Sequence, residues 1–321
     1  MNTRHADFAS RLVASTIMLT LIVVLVTFAL PRAVAANDTH IALLSSEDAA
    51  PYKKVITGFQ QSLGKQGINA TFDEYLLQGN AGKASQAMQE AKQKETTVFF
   101  TVGTLATQSA MKEAGDIPIV AALVSNPDEL KTGNATGVGL DFSPETHFQW
   151  LQRLVPDAKT VGVVFNPKKS ANRIEAATQA ARSLGLTLVT KQAETPQTLT
   201  EALDSLANNI QVLWATTDST LFSPQTAEAV LLFSFRNRIP VVGLSTAWVK
   251  AGALYALDRD YLDLGAQCGE MAGKILHGVK ASSLPPTSPR KVVYMVNLKT
   301  AHHLKLDIAQ TLIDGAQQVF K

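Results

Sequence analysis

The feature that most constrains the fold is a series of short apolar segments separated by segments with helical spacing, and the series occurs twice. Apolar runs rich in β-branched or aromatic residues predict strands, and apolar residues spaced three or four apart predict helices. Both residues 40–124 and residues 160–244 run strand, helix, strand, helix, strand, helix, strand. The predicted strands are 40–44, 70–76, 97–102, 117–124, 160–165, 187–190, 211–215, 239–244 and 292–296, and the clearest helices are 52–66, 83–94, 171–184, 199–207 and 225–235.

This alternation predicts an α/β protein. Strands separated by helices are joined by right-handed crossovers, so they form parallel sheets that helices cover on both faces. Each copy of the series has the size of one doubly wound half. We therefore expect two similar doubly wound parallel-sheet lobes rather than one large sheet.

Residues 1–36 have the features of an export signal. Arg4 and Arg11 precede an uncharged apolar run at 12–30, and the small-residue triplet Ala33-Val34-Ala35 follows it. A positive segment, an apolar segment and an A-x-A site predict cleavage and a periplasmic location. The run of 19 residues is also long enough to span a bilayer, so an uncleaved N-terminal helix that tethers the protein to the inner membrane is the alternative.

Composition excludes several classes of function. The chain has 29 Lys and Arg against 27 Asp and Glu, so no basic field favours nucleic acid. Its one cysteine, Cys268, can form neither an internal disulfide nor a Cys-rich zinc site. Cys268 follows the helical period of its neighbours, and we interpret it as a small packing residue.

Catalytic and cofactor motifs are poor or absent. Residues 243–247 (GLSTA) lack the last glycine of the G-x-S-x-G elbow, and no P-loop occurs. His302 and His303 are adjacent, so they point about 100° apart on a helix and do not share one metal ion. We therefore predict no enzyme activity, no cofactor and no metal site.

The second half of the chain resembles a known family. The stretches that carry the resemblance are 151–167 (LQRLVPDAKTVGVVFNP), 181–189 (ARSLGLTLV), 238–257 (RIPVVGLSTAWVKAGALYAL), 260–278 (DYLDLGAQCGEMAGKILHG) and 292–308 (VVYMVNLKTAHHLKLDI). They are similar to the ABC transporter substrate-binding protein family that includes tryptophan- and tyrosine-binding members. The similarity covers nearly all of residues 38–310, and 238–257 is its most specific part.

The resemblance implies a type I periplasmic-binding fold, in which two lobes joined by several crossovers close on a small molecule. On that pattern one lobe comprises 37–138 plus 258–288 and the other 139–257 plus 289–321, with helix 260–278 returning to the first lobe. The implied partners are a small ligand and the permease subunits of an ABC importer, and the implied state is a monomer. A ligand-sensing protein that reports to a membrane kinase or chemoreceptor is the alternative, because binding lobes carry no transport information of their own.

Sheet topology predicts where the ligand binds. In open parallel sheets, ligands lie beyond the carboxyl ends of the strands, and two such lobes face a common cleft. The candidate ligand-binding residues at these strand ends are Ser45, Ser46, Gly103, Thr104, Ser125, Asn126, Asn166, Thr217, Asp218, Ser245 and Trp248.

Two of these residues suggest a ligand chemistry. Gly103-Thr104 opens a helix, where free amides and the Thr104 hydroxyl suit a carboxylate. Asp218 follows a buried strand, where a carboxylate can pair with an ammonium group. An amino acid or a related organic anion is the simplest complement.

Alternatives to these roles stay open. Thr104 and Asp218 can be helix caps only, and Trp248 can be core packing. Residues 45–52 and 78–82 depart from the tryptophan-binding members, which leaves the ligand's identity open.

Overall fold

The computed structural model describes residues 39–321, so the predicted export segment at 1–36 lies outside the described residues. Within that range the chain alternates strands and helices around two sheets. None of the helices in this part of the chain is long and apolar enough to cross a membrane.

The first sheet has five strands in the order β2-β1-β3-β4-β5. β1 pairs with β3, β3 with β4 and β4 with β5, all in parallel. The strands are β1 (Thr39–Ser45), β2 (Ala70–Leu76), β3 (Val98–Val102), β4 (Ile119–Val124) and β5 (Ala135–Gly139), and the helices between them are α1 (Ala50–Lys65), α2 (Ala81–Gln93) and α3 (Thr104–Glu113), with a 3₁₀ turn at Pro127–Lys131.

The second sheet has seven strands in the order β12-β11-β10-β9-β8-β6-β7. β6 to β10 are parallel, whereas β11 runs antiparallel to β10 and β12 is parallel to β11. The strands are β6 (Thr160–Phe165), β7 (Thr187–Gln192), β8 (Val212–Trp214), β9 (Val241–Gly243), β10 (Tyr255–Arg259), β11 (Val292–Asn297) and β12 (Gln318–Phe320). The helices are α4 (Pro144–Leu154), α5 (Pro167–Ser183), α6 (Pro196–Leu206), α7 (Pro224–Asn237), α8 (Thr246–Ala251), α9 (Tyr261–Leu276), α10 (Leu298–His303) and α11 (Gln310–Asp314).

Each sheet has a hydrophobic core on both faces. Around the first sheet one core includes Phe59 and Phe100, whose rings stack with centroids 3.8 Å apart, and the other includes Phe99. Around the second sheet the two cores include Trp214 and Leu213 respectively. Each lobe is therefore a helix–sheet–helix sandwich, which confirms the predicted α/β class with two mostly parallel sheets.

The described chain passes between the sheets three times. It crosses after β5, returns after β10 and crosses again between a 3₁₀ turn at Ala281–Ser283 and β11. On its return, α9 lies against α1 and the first sheet, where Cys268 is buried with its Sγ 3.6 Å from the Ala121 carbonyl oxygen. The last crossover runs along the edge of β5, because Thr287 exchanges backbone hydrogen bonds with Gly137 and Gly139.

Glycines allow α9 to approach α1 closely. A Cβ at Gly265 would lie 2.0 Å from the Val55 carbonyl oxygen, and one at Gly58 would lie 2.0 Å from the Leu262 carbonyl oxygen. The side chain of Ser62 on α1 donates to the carbonyl oxygen of a residue on α9 at 3.0 Å. Two helices from distant parts of the sequence are thereby held backbone to backbone.

Most predicted elements are present, and three strands are additional. β5, β10 and β12 are absent from the predicted set. β5 (ATGVG) is rich in glycine, and β12 has only three residues, so neither has a strong strand pattern. The strands predicted at 211–215 and 239–244 are shorter than expected, with three residues each.

Candidate ligand-binding cleft

The carboxyl ends of β1 and β3 meet at one point of the first lobe. Gly103 precedes α3 with φ at 91°, and a Cβ there would lie 2.7 Å from the Ser46 Oγ. The Ser46 hydroxyl accepts a hydrogen bond from the Ala106 amide at 3.0 Å. Ser46 therefore caps α3 from the end of a different strand, and only glycine at 103 leaves room for it.

The start of α3 keeps unused donors. Thr104 is the first residue of α3, and its hydroxyl lies 3.4 Å from the Ser125 hydroxyl. Within the described residues the amides of Thr104 and Leu105 have no acceptor. Tyr52 completes this wall, because its ring lies 2.9 Å from a Cβ built on Gly103. The first lobe thus presents two hydroxyls, two amides and an aromatic ring.

A polar cluster forms the corresponding wall of the second lobe. Arg173 of α5 places Nη1 2.5 Å from the Asp141 Oδ2 and 2.9 Å from the Thr217 hydroxyl. Thr217 donates to the same Oδ2 at 2.8 Å. Burial raises the pKa of Asp141, but the Arg173 charge and these hydrogen bonds outweigh it, so that the pKa lies below its usual value. Asp141 is therefore a carboxylate at neutral pH.

A cavity of about 30 Å³ lies beside this cluster, with room for one or two atoms of water size. Phe142 and Leu257 give it apolar walls. Three of its lining residues carry a buried polar atom that has no partner within the described part of the chain: His147 Nδ1, Thr216 Oγ1 and Arg259 Nε. Because buried polar groups in native proteins are almost always paired, the presence of three such atoms on residues that line one cavity is the main sign of a binding site.

Arg259 is a cation held among aromatic rings at this cavity. Its guanidinium lies 5.8 Å from the centre of the Phe142 ring and 5.9 Å from that of Tyr261. Its Nε is 3.4 Å from the Asp258 Oδ1 without hydrogen-bond geometry. The charge of Arg259 is therefore only partly compensated on this face.

His147 contributes a neutral imidazole to the same cavity. Burial, together with the charges of Arg173 and Arg259, lowers the pKa of His147 to about 4, against the opposing charge of Asp141. At neutral pH the ring is uncharged, and one of its nitrogens accepts a hydrogen bond while the other donates one. The cavity therefore combines a cation with a group that can bind either a donor or an acceptor.

Two predicted site residues are used as caps. Asn166 is buried and caps α5 through the Lys168 amide. Asn126 caps the 3₁₀ turn at 127–131 through the Asp128 amide. Their side-chain oxygens are thus engaged with the backbone of their own lobes.

Two more of the predicted serines, Ser45 and Ser245, differ in their surroundings. The Ser45 hydroxyl donates to the Glu47 carbonyl oxygen at 2.8 Å. Ser245 is exposed just before α8 and makes no capping bond with its side chain. Of these two serines, only Ser245 has a hydroxyl without a hydrogen-bond partner in the described part of the chain.

Asp218 and Trp248, two further predicted site residues, are both buried. The Asp218 Oδ1 accepts from the Thr220 amide at 2.9 Å and lies 3.9 Å from the Lys169 Nζ, while its Oδ2 is buried and has no partner among the described residues. Trp248 packs against Phe222 with ring centroids 6.3 Å apart, within a core cluster. Neither Asp218 nor Trp248 lines the 30 Å³ cavity.

Sequence reasoning does not single out Asp141, His147, Arg173 or Arg259 as site residues. Asp141 follows the unpredicted strand β5, and Arg259 ends the unpredicted strand β10. Arg173 lies inside a helix, away from the strand ends. Arg259 could have been found from the sequence if β10 had been recognised as a strand. It stands at the carboxyl end of β10, where ligands bind in parallel sheets.

The described residues hold no group of three or more His, Cys, Asp or Glu side chains placed to bind a metal ion. The two walls offer hydrogen-bond donors, carboxylates and aromatic rings instead. Such a set binds and orients a small polar molecule.

The fold and the cleft define a two-lobed ligand-binding protein of the type I periplasmic-binding class. The profile of the ABC transporter substrate binding protein family matches residues 41–320. The chain belongs to this family, whose members bind ligands rather than catalyse reactions.

Relatives and solved structures agree with this assignment. The chain is 25% identical over 252 residues to a tyrosine-binding protein of Clostridioides difficile, a match that covers 75% of this chain and 72% of that protein. It is similar to the ligand-free, open structure of a substrate-binding protein with adhesive properties from Clostridium difficile, with a TM-score of 0.73, 24% identity and coverage of 88% of this chain and 99% of the other. It is also similar to a domain from Streptococcus pneumonia solved in complex with L-Trp, with a TM-score of 0.58, 21% identity and coverage of 88% and 100%.

Proposed function

We propose that this protein captures a small carboxylate-bearing molecule, an amino acid or a related organic anion, between its two lobes and delivers it to an ABC importer. The observation that carries the proposal is that three residues lining one cavity at the strand ends of the second lobe, His147, Thr216 and Arg259, each have a buried polar atom without a partner in the described part of the chain. Leaving such groups unpaired costs about 1–3 kcal/mol each. A ligand that pairs with them recovers this free energy.

The first lobe supports the same ligand class. The Thr104 and Leu105 amides, which have no acceptor in the described part of the chain, and the hydroxyls of Thr104 and Ser125 form a group of donors, and a helix N-terminus favours an anion. We place a carboxylate of the ligand against Thr104. Closure of the lobes then brings Arg259 of the second wall to the same carboxylate.

Carboxylates of the second lobe suit an ammonium group. Asp141 is ionised, and Asp218 keeps one buried oxygen without a partner in the described part of the chain. We place the ammonium of an amino-acid ligand at Asp218, which follows β8 next to the lining residues Thr216 and Thr217 but does not itself line the 30 Å³ cavity. The tyrosine-binding relative and the L-Trp complex support an amino acid as the first class to test.

A thermal-shift screen of the common amino acids and small organic anions tests the ligand class. A ligand at 100 times its dissociation constant stabilises the folded state by about 2.7 kcal/mol, which is a clear rise in Tm. Small-angle scattering with the best ligand then tests closure, and we expect a smaller radius of gyration. A screen without any stabilising compound, or an unchanged radius with calorimetrically confirmed binding, contradicts the corresponding part of the proposal.

Variants of the two walls test the assignments. Thr104→Val and Asp218→Asn are each expected to weaken binding of the best amino acid by about tenfold or more, the cost of a charge-assisted hydrogen bond. In Asp218→Asn the side-chain oxygen can still accept the hydrogen bond from the Thr220 amide. The Tm of the ligand-free variant should therefore hardly change. Wild-type affinity in both variants, measured by calorimetry, rejects these contacts.

Delivery to an importer and export to the periplasm complete the proposal. Family membership supports both. Uptake of the identified ligand by the native host should fall when this protein is deleted and return when it is restored. N-terminal sequencing of protein from the native host should find a chain that starts near Ala36 or Asn37, whereas intact Met1 in the membrane fraction supports the uncleaved anchor.

A further inference from the structure

A second cavity lies at the end of the second sheet that is away from the ligand cleft. It has a volume of about 340 Å³ and is lined by residues of α7, α8, β11 and α10. Asn297, one of its lining residues, donates its backbone amide to the Leu254 carbonyl oxygen, just before the amino end of β10. The carboxyl end of β10 carries Arg259, so the strand separates the two cavities.

The lining of this cavity is basic. Lys250, Lys299 and His303 contribute to it, and none of its lining residues is acidic. All three side chains are exposed. Neither lysine has an ion pair or a hydrogen bond to its side chain within residues 39–321.

A buried hydrogen-bonded frame supports these cations. The Asn297 side chain donates to the Val249 carbonyl oxygen at 2.7 Å and accepts from the Thr300 amide at 2.9 Å. The Thr300 hydroxyl donates to the Gly252 carbonyl oxygen at 3.1 Å. These bonds fix the end of α8 to α10, and the two lysines belong to those two elements.

Favourable interactions with helix ends explain only two of the three basic residues that line this cavity. Lys250 and His303 lie in the last turns of α8 and α10, where a cation is favoured by the helix dipole. Lys299 lies in the first turn of α10, where the dipole disfavours it. An acidic ligand in the cavity provides a reason for Lys299 that helix capping does not.

We infer that this cavity binds a phosphate group, with Lys250 and Lys299 as its charged partners and Phe235 as an apolar wall. Lysine ammonium groups act as compact point charges, and they are common partners of phosphate groups in proteins. The Phe235 ring packs against His303 with centroids 5.3 Å apart, and it gives the organic part of a phosphate monoester a surface to contact. The volume is within the range of about 300–1,000 Å³ for small-ligand sites.

Calorimetric titration of the full chain with phenyl phosphate at low ionic strength tests the inference. We expect saturable binding that Lys250→Gln and Lys299→Gln each weaken by about tenfold. Lys191→Gln, which removes an exposed lysine of the same lobe on β7, is the matched control and should bind as the wild type does. Unchanged melting of all three variants excludes misfolding.

The phosphate group can belong to a soluble molecule or to a lipid headgroup. Sedimentation with phosphatidylcholine vesicles that contain phosphatidic acid separates the two sources, and loss of binding in the lysine variants supports the site in either case. No binding to phenyl phosphate or to these vesicles, or an equal loss in Lys191→Gln, overturns the inference. Amino-acid binding at the cleft should stay unchanged in the lysine variants, which keeps this test independent of the proposed function.

Discussion

Arg173 holds Asp141 with the same nitrogen that contacts Thr217. Its Nη1 lies 2.5 Å from the carboxylate and 2.9 Å from the hydroxyl. The three residues come from α5, from the crossover after β5 and from the loop after β8. The cluster therefore joins a crossover between the lobes to the wall of the cleft.

Arg173→Gln should make the protein less stable at neutral pH and less sensitive to acid. The pKa of Asp141 is lowered in the folded state, so its stabilising contribution is present above the unfolded pKa of about 3.9 and is lost as the pH falls through the folded value. Without Arg173, burial raises this pKa, so the ionised Asp141 destabilises the folded state at neutral pH and protonation relieves that penalty as the pH falls. The stability difference from wild type should therefore shrink at low pH. At neutral pH we expect the substitution to lower the free energy of unfolding by about 2 kcal/mol. This is less than the loss expected for a fully buried ion pair, because Arg173 and Asp141 are partly exposed to solvent.

Urea unfolding of Arg173→Gln between about pH 3 and pH 7 measures this effect. Arg182→Gln is the control, because Arg182 is exposed on the same helix and has no ion pair in the described part of the chain. Parallel pH profiles for the two variants contradict the prediction.

His147 should give the protein a second pH dependence. Its folded pKa of about 4 lies below the unfolded value of about 6.5. The unfolded state therefore binds more protons between these values, and stability falls as the pH drops from about 6.5 to about 4, by as much as about 3 kcal/mol. His147→Phe should flatten this part of the profile, as measured by urea unfolding, whereas His302→Gln at an exposed site should not.

The glycine contact between α1 and α9 should be intolerant of a methyl group. Gly265→Ala places a Cβ 2.0 Å from the Val55 carbonyl oxygen, so the helices must separate, at a cost of about 1–3 kcal/mol. Gly64→Ala is the control on α1, where a Cβ meets nothing within 4 Å, and it should stabilise by up to about 1 kcal/mol. Opposite shifts in Tm are expected, and equal shifts contradict the close contact.

Local patterns predict the architecture well because each central parallel strand is a nearly continuous apolar run. β3 (VFFTV) and β4 (IVAALV) are buried along their whole length, and almost all of their residues are apolar. The pattern fails at β5 and β12, where glycine or short length removes the signal. Pairing with neighbouring strands, which local sequence does not encode, determines these elements.

The candidate site is less accessible to sequence reasoning than the fold. The rule on strand ends selects residues by their position, but it says nothing of which side chains are already paired. Asn166 is used as a cap, and Trp248 is buried in a core. Arg173 and Asp141 meet only through tertiary structure, since they lie on different elements 32 residues apart.

Arg259 should determine affinity for a carboxylate-bearing ligand. Arg259 lines the cavity, and its buried Nε has no hydrogen-bond partner in the described part of the chain. A ligand carboxylate that reaches this nitrogen would therefore gain a charge-assisted hydrogen bond. Arg259→Gln should weaken binding of the best amino acid from the screen by about tenfold or more. Calorimetry measures the affinity, and Arg182→Gln serves again as the control for loss of a positive charge. Because Arg259 also contacts the rings of Phe142 and Tyr261, the Tm of the ligand-free variant must be compared with wild type. Wild-type affinity in Arg259→Gln would show that the amides of α3 hold the carboxylate without help from the second lobe.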